Sequence, residues 1–97
     1  MFNWLNNQGV RSDRGFEFQR TGRFTAEYRE NGKVTDMYVE GDGVSLTIYE
    51  GSLEGLWNRF APEQRAVERN RIIGNIRDAL AFQKLELILA LGPEPDF

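Results

Sequence analysis

The side chains with the most chemical reach in this chain are carboxylates and tyrosines, crowded into its middle third. Between residues 34 and 58 there is no Lys or Arg, while Asp36, Glu40, Asp42, Glu50 and Glu54 supply five negative charges among Tyr38, Tyr49 and Trp57. Carboxylates in pairs do general acid–base work when their surroundings push the two pKa values apart, as in glycoside hydrolysis. Carboxylates among aromatic groups do something else: they attract a basic partner by long-range steering and anchor it on Tyr and Trp. The chain contains no His and no Cys. The commonest general base and metal ligand are therefore missing, together with thiolate chemistry and disulfides. No metal, no cofactor and no enzymatic activity are expected. The net charge of −3 also argues against direct contact with nucleic acid, which depends on Lys and Arg.

What must position these groups is a sheet. From Phe16 the apolar period is two, with Phe16 and Phe18, then Phe24, Ala26 and Tyr28, alternating with polar residues across a turn at Thr21-Gly22. Asn31-Gly32 is the strongest short-range hairpin signal, because a type I′ turn needs positive φ at both central residues. Closing on Glu30 and Lys33 sets Tyr28 opposite Thr35, Ala26 opposite Met37 and Phe24 opposite Val39 on an inner face. Asp42-Gly43, read as a second two-residue turn, sets Val39 opposite Leu46 and Met37 opposite Ile48. The outer face then carries the rows Glu27–Asp36–Tyr49, Thr25–Tyr38–Thr47 and Arg23–Glu40–Ser45. Glu27 and Asp36 face each other as like charges, which costs a sheet some stability.

The inner face needs a cover, and residues 61–83 supply it. Pro62 suits the first helical position, and Ile72, Ile73, Ile76, Ala79 and Leu80 form one stripe at helical spacing. Residues 85–91 return to period two and are expected as a last strand. Residues 1–15 are expected as a short apolar anchor, Phe2 with Leu5, followed by a loop, and residues 92–97 as a flexible tail. The expectation is a single α+β domain, residues 1–97: a four-stranded antiparallel meander, one long helix packed on one face and a C-terminal fifth strand, in the order β-β-β-β-α-β. No run of about 18 apolar residues and no charged, apolar leader occurs, so neither a membrane span nor secretion is indicated and a cytoplasmic location is expected.

The second half of the chain, LTIYEGSLEGLW followed by NRIIGNIRDALAFQKLELIL, resembles the small cytoplasmic immunity proteins of bacterial polymorphic toxin systems, including those of contact-dependent growth inhibition. The residues that carry the resemblance are Tyr49, Ser52, Leu53, Trp57, Ile73, Ile76, Ala79, Leu80, Phe82 and Leu85. It implies a non-enzymatic inhibitor that binds one cognate toxin domain, frequently a nuclease, and occludes its active site or substrate path. A nuclease must be basic to hold phosphate. The candidate toxin-facing residues are Glu27, Asp36, Tyr38, Glu40, Asp42, Tyr49, Glu50 and Trp57. Two other readings stay open: a structural or adaptor subunit of a constitutive complex, and an enzyme built on the carboxylates.

Overall fold

Asn31 and Gly32 take positive φ, 55° and 77°, and close the hairpin of β4 (Thr25–Glu30) and β5 (Lys33–Gly41). Glu30 lies opposite Lys33, Tyr28 opposite Thr35 and Ala26 opposite Met37, the register that the turn chemistry dictates. The computed structural model describes residues 1–90. Around this hairpin the other strands are β1 (Phe2–Asn6), β2 (Gly9–Ser12), β3 (Phe16–Arg20), β6 (Ser45–Tyr49) and β7 (Glu86–Ala90). They form one seven-stranded sheet in chain order. The first six strands run antiparallel to their neighbours, and β7 pairs parallel to β6.

The architecture is therefore a mixed seven-stranded half-barrel with two helices, not a four-stranded meander with one helix and a fifth strand. Two elements account for the difference. Residues 1–15 are not an anchor and a loop, because β1 and β2 pair with Phe2 opposite Ser12 and Trp4 opposite Val10. Phe2 and Trp4 share a strand face at period two, and both rings meet Phe82 at 5.5 Å, so the spacing of Phe2 and Leu5 was a poor guide to helix. The second helix is short: α1 (Glu54–Trp57) follows a 3₁₀ turn at Glu50–Leu53 and buries Leu56 and Trp57.

The register of β5 on β6 also departs from expectation, by two residues. Val39 lies opposite Ile48 and Gly41 opposite Leu46, so the turn is Gly43-Val44 rather than Asp42-Gly43. Asp42 explains the shift. Its Oδ1 accepts hydrogen bonds from the backbone N–H of Val44 and Ser45 and from the Ser45 hydroxyl at 3.0, 2.7 and 3.0 Å. An Asp that ties down the second and third residues after it stands before a turn rather than within one, and Gly43 provides the positive φ, 94°. A shift by two keeps every side chain on its face, so Leu46 and Ile48 still point inward while Val44 is left at the exposed tip.

The cover is α2 (Arg65–Phe82), introduced by a 3₁₀ turn at Pro62–Gln64. Ile72, Ile73, Ile76, Ala79 and Leu80 are all buried against Phe16, Phe18, Val39, Leu46 and Ile48. The helix ends in a Schellman motif: Leu85 N–H reaches Leu80 O and Lys84 N–H reaches Ala81 O, with Lys84 itself at φ 63°. That reversal sends the chain into β7, where Leu87 and Leu89 extend the core. Two polar pairs cross from sheet to helix. Asn75, within the apolar stripe, donates to the Tyr28 hydroxyl at 3.0 Å, and Arg71 forks onto the buried Glu30 carboxylate at 2.8 and 3.0 Å. Among the described residues no helix is long and apolar enough to cross a membrane. The expected tail, 92–97, lies outside the described residues.

Candidate functional site

The outer face of the sheet divides into two halves of different electrostatic character. On β2, β3 and β4 the charges neutralise one another: Arg11 pairs with Glu17 at 2.8 Å and Arg29 with Glu27 at 3.3 Å. Gln19 donates to the same Glu27 carboxylate at 2.5 Å. Glu27 lies opposite Asp36 as expected, and the Arg29 and Gln19 contacts offset the repulsion on the Glu27 side only. Asp36 is exposed and has no cation beside it among the described residues.

On the β5–β6 half, Glu40 and Asp42 are held by hydroxyls and backbone amides instead of cations. The corrected register brings Tyr49 beside Tyr38, their ring centroids 5.6 Å apart, rather than beside Asp36. Phe24 joins them. Its backbone pairs with Val39 as expected, Val39 N–H to Phe24 O at 2.9 Å, but its side chain is 43% exposed and stacks on Tyr38 with ring planes 10° apart. Alternation alone puts it among the inner residues. The 21–24 segment lies outside the regular strand, where alternation no longer fixes which way a side chain points. Arg23 lies over the Phe24 ring, 5.2 Å from its centroid.

Glu40 is the hub of this group. The Tyr38 hydroxyl donates to Oε1 at 2.8 Å and the Tyr49 hydroxyl to Oε2 at 3.3 Å. The Tyr49 phenol is pushed up from its ordinary value by loss of solvent and by the adjacent Glu40 charge, which favours its protonated, hydrogen-bond-donating form. Asp42 is held below the usual carboxylate range by the Val44 and Ser45 N–H groups and the Ser45 hydroxyl; it is a charged turn residue at the rim of the same face. Two shallow clefts flank the hub. One, of about 340 Å³, is lined by Thr25, Asp36, Met37, Tyr38 and Ser52. The other, of about 260 Å³, is lined by Glu40, Gly41, Asp42, Ser45, Thr47 and Ile88. Among the described residues no basic side chain lines either.

Two candidate residues do not belong to this surface. Trp57 is 7% exposed and is core, with the Arg69 guanidinium 5.7 Å from its ring centroid. Glu50 is turned to the helix side, where it pairs with Arg69. The structure thus gathers Asp36, Tyr38, Glu40, Asp42 and Tyr49, sets Glu27 on the neutralised half, and removes Glu50 and Trp57. Phe24 and Ile88 are the outer-face members that sequence reasoning missed; Ile88 was visible from its alternation with Leu87 and Leu89. Among the described residues no group of three His, Cys, Asp or Glu side chains is arranged to hold a metal ion.

No protein-family model, curated protein or solved structure matches this chain.

Proposed function

We propose that this chain is a non-enzymatic binding protein, an immunity protein that works in the cytoplasm by holding a basic toxin domain, of the nuclease kind, against the outer face of β5 and β6. The observation that carries the reading is the uncompensated charge there. Asp36, Glu40 and Asp42 surround an aromatic group of Phe24, Tyr38 and Tyr49; Glu40 is held by tyrosine hydroxyls and Asp42 by backbone amides, and the exposed Asp36 forms no ion pair among the described residues, while the neighbouring half of the sheet neutralises itself. Such a surface speeds the approach of a basic protein and offers aromatic anchors once it arrives. The resemblance of the second half of the chain to immunity proteins supports the choice of a toxin as partner. Occlusion is the mechanism: a nuclease surface that holds phosphate is basic, and this face competes for it.

The test first reads the adjacent reading frame for a toxin domain, whose absence counts against the reading, and then measures association with that domain. Asp36→Lys with Glu40→Gln should slow association most at low ionic strength, because steering between exposed charges is screened by salt. Asp42 is left intact, since it holds its turn. Unchanged association at low salt removes the reading. A second reading, an adaptor subunit in a constitutive complex, draws on the β1 edge, where Trp4 and Phe82 are 53% and 39% exposed side by side. It predicts that Trp4→Ala speeds dissociation with little dependence on salt.

A further inference from the structure

β1 ends the sheet on one side, and among the described residues no strand pairs with its outer edge. Its backbone shows which groups are left over. Asp13 N–H bonds to Met1 O at 3.2 Å, and the register runs on with Phe2 opposite Ser12, Asn3 opposite Arg11 and Trp4 opposite Val10. Alternation makes Asn3 and Arg11 the next bonded pair and turns the N–H and C=O of Phe2 and Trp4 away from β2. The far side of β2 agrees: Arg20 N–H bonds to Gln8 O at 2.9 Å, which aims Val10 at β3 and not at Trp4. Two donors and two acceptors therefore line the free edge. The register shifts between Trp4 and Asn6, a bulge that ends the straight part of the edge. Edges of this kind are commonly blocked by a charged side chain or a proline. β1, Phe2-Asn3-Trp4-Leu5-Asn6, has neither. Its inner rings, Phe2 and Trp4, run onto Phe82, and Trp4 and Phe82 are both exposed. On the outer side stand the exposed Asn3 and Leu5, which lines a cleft of about 340 Å³ with Trp4, Asn6 and Asn7.

We propose that this edge takes β1 of a second copy of the chain, antiparallel about a twofold axis beside Asn3, so that the protein is a reversible dimer with one sheet continuous across both copies. An axis at Asn3 sets Phe2 opposite Trp4 of the second copy and bonds every free backbone group of both strands. An axis at Trp4 would set Phe2 against Asn6, which lies beyond the bulge and pairs with Gly9. The side chains fit the same register. Phe2 and Trp4 form cross-strand aromatic pairs beside each Phe82, the two Asn3 amides exchange donor and acceptor, and the exposed Met1 comes opposite Leu5 at its cleft. A second copy is the occupant because the uncharged strand whose aromatic and amide rows complement this edge is the same strand read backwards, the condition for an isologous contact. The other free edge, β7, answers less well. Glu86 N–H bonds to Val44 O, so Leu87 and Leu89 carry its outward groups, and β7 of another copy would set Ile88 against the Asn3 amide. A five-residue edge with two exposed rings falls short of the roughly 800 Å² per partner of a standard interface, so half-association is expected on the order of 100 μM. The outer face of β5 and β6 lies four strands away and stays open in the dimer.

Sedimentation velocity of the full chain from about 10 μM to about 1 mM should show the monomer passing to a dimer and stopping there. Asn3→Lys and Asn3→Asp should each stay monomeric with an unchanged circular dichroism spectrum, because like charges then meet across the axis, and an equimolar mixture of the two should restore the dimer. A directly opposed, non-hydrogen-bonded pair has its Cα atoms about 4.5 Å apart, within disulfide range, and the chain has no Cys of its own. Asn3→Cys should therefore oxidise to a covalent dimer roughly tenfold faster than Asn7→Cys in the adjoining turn, through its higher effective concentration. Wild type that remains monomeric throughout overturns the proposal, as do charged variants that dimerise like wild type or cysteine variants that oxidise at equal rates. Growth past the dimer overturns it as well, since that is the signature of β1 meeting β7.

Discussion

Removal of the Arg71 guanidinium isolates the one carboxylate buried among the described residues. Glu30 is 6% exposed and continues the inner parity of Ala26 and Tyr28, so it faces the helix rather than water. Burial by itself raises its pKa, but the two Arg71 bonds and the Arg71 charge, with help from the Tyr28 hydroxyl, overcome this and hold the carboxyl below its ordinary value. In Arg71→Ala the carboxylate stays buried without its cation. Breaking a fully buried pair from one side costs about 3–5 kcal/mol. The Arg71 side chain is 39% exposed, so part of that energy is already screened by solvent, and about 2 kcal/mol is the expected loss at neutral pH. With a urea slope on the order of 1 kcal/mol per molar, the midpoint should fall by about 2 M. The sign of the pH dependence follows from the lowered pKa: the contribution of Glu30 is present above the usual glutamate range and is lost as pH falls through its folded value. The deficit of Arg71→Ala should therefore be largest at neutral pH and shrink in acid, where Glu30 is protonated in either protein. Glu30→Gln added to Arg71→Ala should recover part of the loss at neutral pH. Denaturant titrations followed by tryptophan fluorescence at neutral and acid pH provide the test, and a deficit that does not vary with pH would refute the electrostatic account.

Asp42→Ala should remove the three bonds that fix the Gly43-Val44 turn, seen as faster hydrogen exchange at Ser45 and Leu46 and, because the Asp42 carboxyl is held below its usual range, as a turn that loosens in wild type only at low pH. Lys84→Gly should stabilise the domain by about 0.5–1 kcal/mol, since the left-handed conformation costs an L-residue about 1–2 kcal/mol, the extra chain entropy of Gly takes back about 0.5–1 of it, and the Schellman turn needs only backbone there; a lowered thermal midpoint would show that the Lys84 side chain contributes more than its backbone strain.

The inner face of the central hairpin and the stripe of α2 were legible because each is local. Asn31-Gly32 sets its own register, and Ile72, Ile76 and Leu80 share a helix face by spacing alone. The β5–β6 register was not, because Asp-Gly is a common pair of central turn residues and only the three bonds to Asp42 move the turn one position along. The strands of the N-terminal segment were hidden by their polarity: Asn3, Asn6, Gly9 and Arg11 sit on the outer face, and Ser12 weakens the inner alternation. The Glu30–Arg71 and Tyr28–Asn75 pairs join residues 41 and 47 positions apart. No local pattern announces them, although an acid at an inner strand position and an Asn within an apolar stripe mark the two places where a partner was required. At the site, the acidic and aromatic residues were found from composition, but which of them meet depended on the register. Trp57 allows two readings from sequence, cover for the open end of the core or an exposed anchor, because a large aromatic in a connecting segment carries no sign of which way it faces; the structure makes it core.

Strand order that equals chain order has a consequence during synthesis. As the chain emerges from its N-terminus, each strand from β2 to β6 meets a neighbour that is already made, so the sheet accumulates by short reversals with little loop entropy to overcome. Its cover does not accumulate with it. Phe16, Phe18 and Tyr28 stay wet until residues 65–82 have been made, and β7, which needs α2 to carry the chain back across to β6, is last. The interval between a finished meander and an arriving helix is when this protein exposes the most apolar surface, and it is the stage at which a chaperone, or an unwanted copy of the same sheet, would meet it.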